Sequence, residues 1–318
     1  MHNREQLKTL RNAIPFIRAY KGQTFVVKLG GRLCEPGKIL QHVIEQIALL
    51  HQLGIRVLLV HGGGDQTTTM CKRLGIEPRI VVGRRITDDE TLDIAKMTMA
   101  GLVNTNLLAA CRAAQLPAVG LSGVDSDVVT ANRRPVQRVD DPQSGATHMV
   151  DFGWVGDIQR IDARLITSLL DNGYVPVVSS LAADAAGQVL NVNADTVAAQ
   201  IAIALKAAKY ILLTTVDGVL TQIDDPTTLH SYLDLPGLDE LIKSGAIGGG
   251  MLPKLSACTT ALRGGVSRVH IINGLLTDTL LCEVLTNEGC GTLIVERRES
   301  NGAAPTSTVT ESREVSVA

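Results

Sequence analysis

Short runs of apolar residues alternate along the chain with longer segments whose apolar positions recur every three or four residues. The short runs are typical of buried strands, and the longer periodic segments are typical of helices. The runs are TFVVKL, RVLLVH, AVGLS, VPVVSS, YILLT, VHII and TLIVE. The periodic segments span residues 40–53, 89–114, 162–172, 194–205 and 253–263. This alternation predicts an α/β fold, a three-layer sandwich with a central, mostly parallel sheet and helices on both faces.

Two stretches depart from the alternation. Residues 132–151 are rich in Pro, Arg, Asp and Gly, and VDFGWVGDI follows. We expect a β-hairpin here that extends over one part of the protein, as lids often do. Residues 299–318 are rich in Ser, Thr, Glu and Ala without periodicity, which predicts a disordered tail.

Composition narrows the class of ligand. A chain of 318 residues with 45% hydrophobic content has room for one large core or two moderate ones. The formal net charge of −2, with scattered basic residues, argues against binding to nucleic acid or to a membrane surface and favours a small molecule. The six cysteines form no CxxC pair, and there is no N-terminal signal or membrane-length apolar run, so we expect a cytoplasmic protein.

Five glycine-rich or polar clusters are predicted at the carboxyl ends of these strands of the central sheet, where open α/β sheets bind ligands. In LVHGGGDQTT, the three glycines have two possible explanations. They let backbone N–H groups approach an anion at a helix start, or they form a tight turn. Neither GxxxxGK[ST] nor a GxGxxG after a strand occurs, so the usual nucleotide signatures are missing. The clusters are KLGGR, HGGGD, LSGVD, NVNAD and TTVDG.

Ten motifs in the same order resemble the amino acid kinase family, and within it the acetylglutamate kinases. The resemblance implies the amino acid kinase fold and transfer of the γ-phosphoryl group of ATP to the side-chain carboxylate of N-acetyl-L-glutamate, a step of arginine biosynthesis. The acceptor, with a pKa of about 4.3, is already ionised at pH 7 and needs no general base. The motifs are VVKLGG, VHGGG, GRRITD, VGLSGVD, NGYVPVVSS, NVNADTVA, ILLTTVDGVL, GGGMLPK, VHIING and EGCGT.

The resemblance assigns catalytic roles to three charged residues. Lys28 is expected to neutralise the transferring phosphoryl group, Lys254 the leaving ADP, and Asp195 is expected to hold both lysines. The plain alternatives are solvated lysines and an acid that favours a helix N-terminus. Lys28 lies between apolar residues, where burial without a partner is costly.

The resemblance also implies how the acyl amino acid is held. Gly31, Gly63 and Gly64 are expected to offer backbone N–H groups, Arg85 to pair with the α-carboxylate, and Asn191 to hold the amide or carboxylate. For Asn191 the alternative is a loop residue that bonds to its own backbone. Arg32, Asp65 and Arg84 are unusual for the family.

For the nucleotide, the resemblance implies a second lobe and Mg²⁺ bound through the ATP phosphates, with no protein cage of metal ligands. Thr215 stands where relatives often carry Asp. The expected nucleotide-binding residues are Gly30, Thr215, Asp217, Gly218, Gly250 and Met251.

The segment TLRNAIPFIRAYKG resembles the extra N-terminal helix of hexameric, arginine-inhibited relatives, although a helix packed on its own subunit is the plain alternative. We therefore expect a homo-oligomer, a hexamer built as a trimer of dimers, that arginine inhibits. The expected effector residues are Phe16, His270, Glu283 and Gly289, with Phe16 replacing a common tyrosine. The expected divisions are 1–24 (interaction helix), 25–190 (acyl-amino-acid lobe), 191–298 (nucleotide lobe) and 299–318 (tail).

Two other functions stay open at this point. A kinase for N-succinylglutamate or carrier-bound aminoadipate would keep the phosphoryl machinery and change the pocket near Arg85 and residues 122–125. The other alternative is a non-catalytic, arginine-sensing subunit. The presence of Lys28, Asp195 and Lys254 argues against it.

Overall fold

The computed structural model describes residues 2–81, 84–140 and 147–297. Its strands are β1 (Thr24–Leu29), β2 (Arg56–His61), β3 (Ile80–Val81), β4 (Arg84–Arg85), β5 (Ala118–Ser122), β6 (Val129–Arg133), β7 (Gln137–Asp140), β8 (Thr147–Val150), β9 (Gly156–Ile161), β10 (Val175–Ser179), β11 (Leu181–Ala183), β12 (Val189–Asn191), β13 (Lys209–Thr214), β14 (Tyr232–Asp234), β15 (Arg268–Asn273) and β16 (Thr292–Val295). Its α-helices are α1 (His2–Tyr20), α2 (Lys38–Gln52), α3 (Gly64–Arg73), α4 (Asp89–Lys96), α5 (Asn104–Ala113), α6 (Arg164–Asp171), α7 (Ala194–Ala204), α8 (Leu235–Lys243), α9 (Met251–Arg263) and α10 (Thr279–Leu285).

The main sheet contains every apolar run that the pattern assigned to a strand. Within the described residues it has eight strands in the order β14, β16, β15, β13, β1, β2, β10, β5. Neighbours are parallel except β15 and β16, so the predicted α/β class with a mostly parallel sheet is confirmed. β1 is hydrogen-bonded along both edges, to β2 and to β13.

Alternation along β1 explains the layers. Val26 joins one buried cluster, whereas Phe25 and Val27 join another, because successive side chains of a strand point to opposite faces. Helices α6, α7, α8 and α9 contribute to the first cluster, and α2, α5 and α10 to the second. Each fully buried large apolar side chain contributes about 1.5–3 kcal/mol. Lys28 shares the face of Val26, and therefore faces the layer that contains α7.

The stretch that departs from the alternation forms the predicted hairpin, with β7 antiparallel to β8. Residues 141–146, between these two strands, and the predicted tail lie outside the described residues. The smaller sheet next to it runs β12, β11, β6, β9. Helices α8 and α10 were not predicted, because LPGLDELIK begins with turn-forming residues and α10 is too short for a clear period.

The segment predicted as one helix over residues 89–114 has a change of helix type in its middle. Helix α4 continues into a π-helical segment, Met97–Val103, and then into α5. In this segment the backbone N–H of Asn104 donates to the carbonyl of Met99, five residues earlier, as π-helical geometry requires.

Candidate active site

Loops that follow parallel strands meet at one edge of the main sheet. Gly30 and Gly31 follow β1, the glycine run follows β2, and Thr215 follows β13. The expectation that all five clusters end strands of this sheet is wrong for NVNAD, which follows β12 in the smaller sheet. The N–H of Val192 nevertheless donates to the carbonyl of Ser180, just beyond β10, over 3.1 Å. NVNAD therefore lies at the same edge of the main sheet, although the strand before it pairs in the smaller sheet.

Two lysines and one aspartate meet at this edge. Lys28 Nζ lies 2.7 Å from Asp195 Oδ1, and Lys254 Nζ lies 3.2 Å from Asp195 Oδ2. Burial alone would raise the pKa of Asp195, but the two ammonium groups outweigh it and lower that pKa. The carboxylate is therefore ionised, and the cluster carries one net positive charge. A buried excess of positive charge favours binding of an anion.

The position of Asp195 is fixed by its own helix start. Asn193 caps α7, its side-chain oxygen accepting from the N–H groups of Asp195 (2.8 Å) and Thr196 (3.2 Å). The hydroxyl of Tyr210 donates to the carbonyl of Asp195 over 3.0 Å. Asn193 and Tyr210 were not singled out from the sequence, although an Asn two residues before an acid, ahead of an apolar helix, is a recognisable N-cap signal.

The glycines beside this cluster differ in whether neighbouring atoms leave room for a side chain. A Cβ on Gly63 would lie 2.8 Å from Met99 Cγ, so packing alone requires glycine there. Nothing lies within 4 Å of a Cβ on Gly64, the first residue of α3. The carbonyl of Gly31 accepts from Gln66 Nε2 over 2.7 Å, which holds the β1 loop against α3. The start of α3 therefore presents backbone N–H groups beside both loops.

Arg85 leaves half of its guanidinium free in the described part of the chain. Its Nη2 donates to the carbonyl of Gly64 over 2.7 Å and to the hydroxyl of Thr68, whereas Nη1 is buried without a partner there. Burial lowers the pKa of Arg85. Asn191 Nδ2 donates to Thr87 Oγ1 over 3.2 Å, which ties it to the segment that carries Arg85. The side chain of Arg84 is outside the described residues.

The expected nucleotide-binding residues lie after β13 and before α9. Asp217 accepts from Asn273 Nδ2 over 2.8 Å, and Thr215 is exposed. A Cβ on Gly218 would lie 2.4 Å from Thr292 Oγ1, so packing is a sufficient reason for this glycine. Gly30, Gly250 and Met251 complete the set; Gly30 follows β1, and the other two lie at the start of α9.

A separate buried cluster contains two of the residues expected to bind an effector. Glu283 Oε1 lies 2.7 Å from His270 Nδ1, and Lys209 Nζ lies 2.8 Å from His270 Nε2. Burial and Lys209 lower the pKa of His270 to about 4, and burial lowers that of Lys209 to about 7. Burial opposes ionisation of Glu283, but the hydrogen bonds from His270 and Cys290 and the charge of Lys209 together outweigh it and lower the pKa of Glu283 to about 2. A neutral imidazole therefore lies between an ammonium group and a carboxylate; Lys209 was not singled out from the sequence.

The remaining effector candidates differ in their closeness to Glu283. A Cβ on Gly289 would lie 2.9 Å from Glu283 Oε2, and this glycine has φ +60°. Glu283 Oε2 also accepts from the backbone N–H of Cys290 over 2.8 Å. Phe16 is partly buried in α1, near the end of that helix at Tyr20. The Lys209 ammonium lies 5.0 Å from the centre of the Tyr20 ring, so α1 does reach this cluster.

Two kinds of feature are absent from residues 2–81, 84–140 and 147–297. No helix in these ranges has the length and apolar character needed to span a bilayer. They also contain no group of three or more His, Cys, Asp or Glu side chains arranged to hold a metal ion.

Known proteins resemble the chain over most of its length. Acetylglutamate kinase of Myxococcus xanthus is 44% identical over 296 residues, which are 92% of this chain and 96% of that protein. Acetylglutamate kinase of Methanocorpusculum labreanum is 44% identical over 295 residues, covering 92% and 98%.

Solved structures give the same picture of the fold. N-acetylglutamate synthase from Neisseria gonorrhoeae, complexed with coenzyme A and N-acetyl-glutamate, aligns with a TM-score of 0.78 at 30% identity over 92% of this chain, which spans 64% of that one. Isopentenyl phosphate kinase, 22% identical with a TM-score of 0.55 over 86% of this chain and 100% of that one, shares the fold. A model of the amino acid kinase family matches residues 23–273. The chain belongs to the amino acid kinase family.

Proposed function

We propose that this protein transfers the γ-phosphoryl group of ATP to the side-chain carboxylate of N-acetyl-L-glutamate, giving N-acetyl-L-glutamyl 5-phosphate in arginine biosynthesis. The relatives at 44% identity are acetylglutamate kinases along nearly their whole length. The observation that carries the proposal is the contact of Asp195 with both Lys28 and Lys254. The cytoplasm is the location we expect for this protein, and that location stays a prediction.

The chemistry explains why the site needs lysines and no general base. The acceptor carboxylate is ionised at neutral pH, so the barrier comes from bringing it in line with a charged phosphoryl group. Lys28 and Lys254 offset the charge on the transferring group and on the leaving oxygen. Asp195 holds both ammonium groups in place, and its own charge is masked from the incoming carboxylate because each oxygen faces a lysine.

The groups proposed to bind the acyl amino acid are those that can still form hydrogen bonds to a ligand. The buried Nη1 of Arg85 pairs with the α-carboxylate, and Asn191 bonds to the acetamido group or the carboxylate. The N–H groups of Gly31, Gly63 and Gly64 face the phosphoryl group and its acceptor. Arg85 donates to the carbonyl of Gly64, and its guanidinium group therefore lies over the start of α3, beside these N–H groups.

The residues present fit ATP. A cluster with one net positive charge and a glycine-rich edge suits a triphosphate. Gly30, Thr215, Asp217, Gly218, Gly250 and Met251 are the residues proposed to bind the nucleotide. ATP supplies the phosphoryl group, and Mg²⁺ bound through its phosphates reduces their charge. The division into an acyl-amino-acid lobe over 25–190 and a nucleotide lobe over 191–298 is part of the same proposal.

The direct test is ATP-dependent formation of an acyl phosphate, trapped with hydroxylamine, with N-acetylglutamate, N-succinylglutamate and N-acetylaminoadipate as acceptors. We expect N-acetylglutamate to be preferred and Lys28→Ala to be inactive. Preference for another acceptor would contradict the proposed substrate. Absence of any product, with ATP bound, would contradict catalysis.

Arginine inhibition of a hexamer is the finer part of the proposal. Helix α1 packs against α10, which carries Glu283, and Lys209 joins the end of α1 to the same cluster. A guanidinium group would pair with the carboxylate of Glu283, which accepts from His270, Cys290 and Gly291. Because α1 contacts this cluster at its end, an interaction of α1 with a second copy would couple arginine binding to assembly.

A further inference from the structure

The last residue of β2, His61, is fully buried directly before the glycine run. Its Nδ1 lies 2.7 Å from the carbonyl oxygen of Gly62, and its Nε2 lies 3.0 Å from Asn104 Nδ2. A carbonyl oxygen only accepts, so Nδ1 carries the proton and donates, which leaves Nε2 as an acceptor. The imidazole is therefore neutral in one defined tautomer.

Asn104 fixes that tautomer from the other side. The two N–H groups of its amide are shared among three acceptors, which are His61 Nε2 and the carbonyl oxygens of Val177 in β10 (3.0 Å) and Leu121 in β5 (3.3 Å). Two carbonyl acceptors determine that nitrogen, and not the amide oxygen, faces the sheet. A Cβ on Gly120 would lie 2.1 Å from Asn104 Oδ1, so β5 has a glycine where this amide enters.

The π-helical segment brings two side chains to the glycine run together. Met99 and Asn104 are five residues apart, a spacing that would place them on different faces of an α-helix but aligns them more closely in a π-turn. Met99 packs against Gly63, and Asn104 reaches His61. The irregular helix therefore supports both the glycine run and the residue before it.

The direction of one peptide group follows from these contacts. The described residues contain no cis peptide bond, and in a planar trans peptide the N–H points opposite to the C=O. Because His61 holds the Gly62 carbonyl, the N–H of Gly63 must point away from the imidazole. A Cβ on Gly62 would lie 3.3 Å from Ala194 Cβ, so this peptide lies beside the start of α7 and next to Asp195.

We propose that His61 and Asn104 are positioning residues, which hold the Gly62–Gly63 peptide so that the Gly63 N–H faces the reacting groups beside Lys28 and Asp195. This inference rests on the proposed phosphoryl transfer to N-acetylglutamate. Neither residue contacts the substrate itself. Their effect on the reaction is through the direction of one backbone donor.

Two substitutions of His61 separate positioning from packing. The amide nitrogen of Asn overlays imidazole Nδ1, so His61→Asn keeps a donor to Gly62 and loses the acceptor for Asn104. The amide of Gln overlays Nε2, so His61→Gln keeps a group near Asn104 and loses the donor. We expect His61→Gln to lower kcat/KM for N-acetylglutamate by roughly 10- to 100-fold, with KM for ATP unchanged, because a small misplacement has effects of that size. His61→Asn should restore most of that loss.

A control substitution and a second variant decide whether His61 positions the loop or only packs. His51→Gln, on α2, makes the same change away from the glycine run and should leave kcat/KM unchanged. Equal losses in His61→Asn and His61→Gln, in step with their unfolding free energies, would show that His61 only packs and would overturn the inference. If His61→Gln does not fold, Asn104→Ser provides the test: it should raise KM for N-acetylglutamate and leave KM for ATP unchanged, and a shift in both would overturn the inference.

A readout without substrate separates this inference from the proposed reaction. Hydrogen–deuterium exchange in a peptide that covers residues 61–66 should rise in His61→Gln and stay near wild type in His61→Asn. If the wild-type protein fails to phosphorylate N-acetylglutamate, the proposed function is wrong and the exchange experiment still decides whether His61 orders the loop. If the wild type is active and His61→Gln changes neither exchange nor kcat/KM, only the positioning role is wrong.

Discussion

Lys28 Nζ lies 2.7 Å from Asp195 Oδ1, at a position where only 7% of the lysine is exposed. One carboxylate thereby fixes a charged group that the apolar strand around it would otherwise exclude. Two chain segments that are far apart in sequence, β1 and the start of α7, are joined by this contact. The proposed catalytic roles of both residues lead to the first prediction.

Asp195→Asn should leave the two ammonium groups without a counter-charge. We expect kcat to fall by roughly 100- to 1,000-fold, because a misplaced electrostatic group in a closed site has effects of that size. The free energy of unfolding should fall by about 3 kcal/mol, since removing one partner leaves a buried charge unpaired. The hydroxylamine assay and urea unfolding measure the two effects.

Asp93→Asn is the matched control, because Asp93 is exposed on α4 and pairs with Lys96 at the surface. It should change neither quantity appreciably, since exposed ion pairs contribute about 0–1 kcal/mol. An Asp195→Asn protein with wild-type kcat would contradict the role of Asp195.

Arg85→Lys should weaken binding of the acyl amino acid and spare the nucleotide. A lysine keeps the charge but cannot bond to Gly64 and also present a second planar donor. We expect KM for N-acetylglutamate to rise roughly 10- to 100-fold, the loss of one charge-assisted contact. KM for ATP should stay constant, as should both constants in the control Arg73→Lys, an exposed residue at the end of α3. A rise confined to KM for ATP would place Arg85 at the nucleotide.

Gly218→Ala and Gly64→Ala should separate a packing glycine from a substrate-facing one. A methyl group at 218 would meet Thr292 Oγ1 at 2.4 Å, so we expect a loss of about 1–3 kcal/mol in unfolding free energy. A methyl group at 64 meets nothing within 4 Å, so stability should hold while KM for N-acetylglutamate rises. Urea unfolding and steady-state kinetics on the pair provide the comparison. Equal destabilisation of both variants would contradict it.

Stability should depend on pH through His61. Burial lowers the pKa of His61 to about 4, below the ordinary value of 6.5. Between these values the unfolded chain binds the proton and the folded chain does not, so stability is lost as pH falls from 6.5 towards 4. Between pH 7 and pH 5 the loss from this one residue is about 2 kcal/mol. Because carboxylates also titrate, the measurement is the difference between wild type and His61→Asn in urea unfolding at both pH values, and identical pH dependence in the two would contradict it.

Millimolar arginine should inhibit the wild-type enzyme, and Glu283→Gln should remove that inhibition. The glutamine oxygen still accepts from the N–H groups of Cys290 and Gly291, but it offers no charge to a guanidinium group. Glu240→Gln, an exposed change on α8, is the control and should remain sensitive. Size-exclusion chromatography with light scattering tests the hexamer. Unchanged wild-type activity in arginine would contradict the effector proposal.

Local pattern was sufficient for seven of the eight strands that the main sheet has in the described residues, and β14 was not predicted. The three charged residues at its edge were singled out through the family resemblance. Lys28 interrupts an apolar strand, and glycine runs after strands mark loops that must approach something closely. These signals are short-range and therefore visible in the sequence. The coarse fold was predictable for that reason, whereas the predicted site depended on the resemblance to a known family.

Contacts between distant side chains were not predictable in the same way. Asn104 reaches His61 only because a π-turn rotates it towards β2, and no helical period in residues 89–114 indicates that turn. Lys209 begins a buried strand, and its partner His270 is known only from the register of β13 with β15. NVNAD was assigned to the main sheet because nothing local distinguishes a strand that pairs in a second sheet.

The main sheet can be completed only late in synthesis, because β1 pairs with one strand that is made early and one that is made late. β2 follows β1 closely in the chain, but β13 is made only after more than half of the 318 residues have intervened. Until then β1 has an open edge, the kind of surface on which unfinished sheets aggregate. Asp195 also comes late, so any nascent or truncated chain that ends before it contains Lys28 without its counter-charge. The strand pairing that closes the open edge of β1 therefore forms at the same late stage as the ion pairs that complete the site.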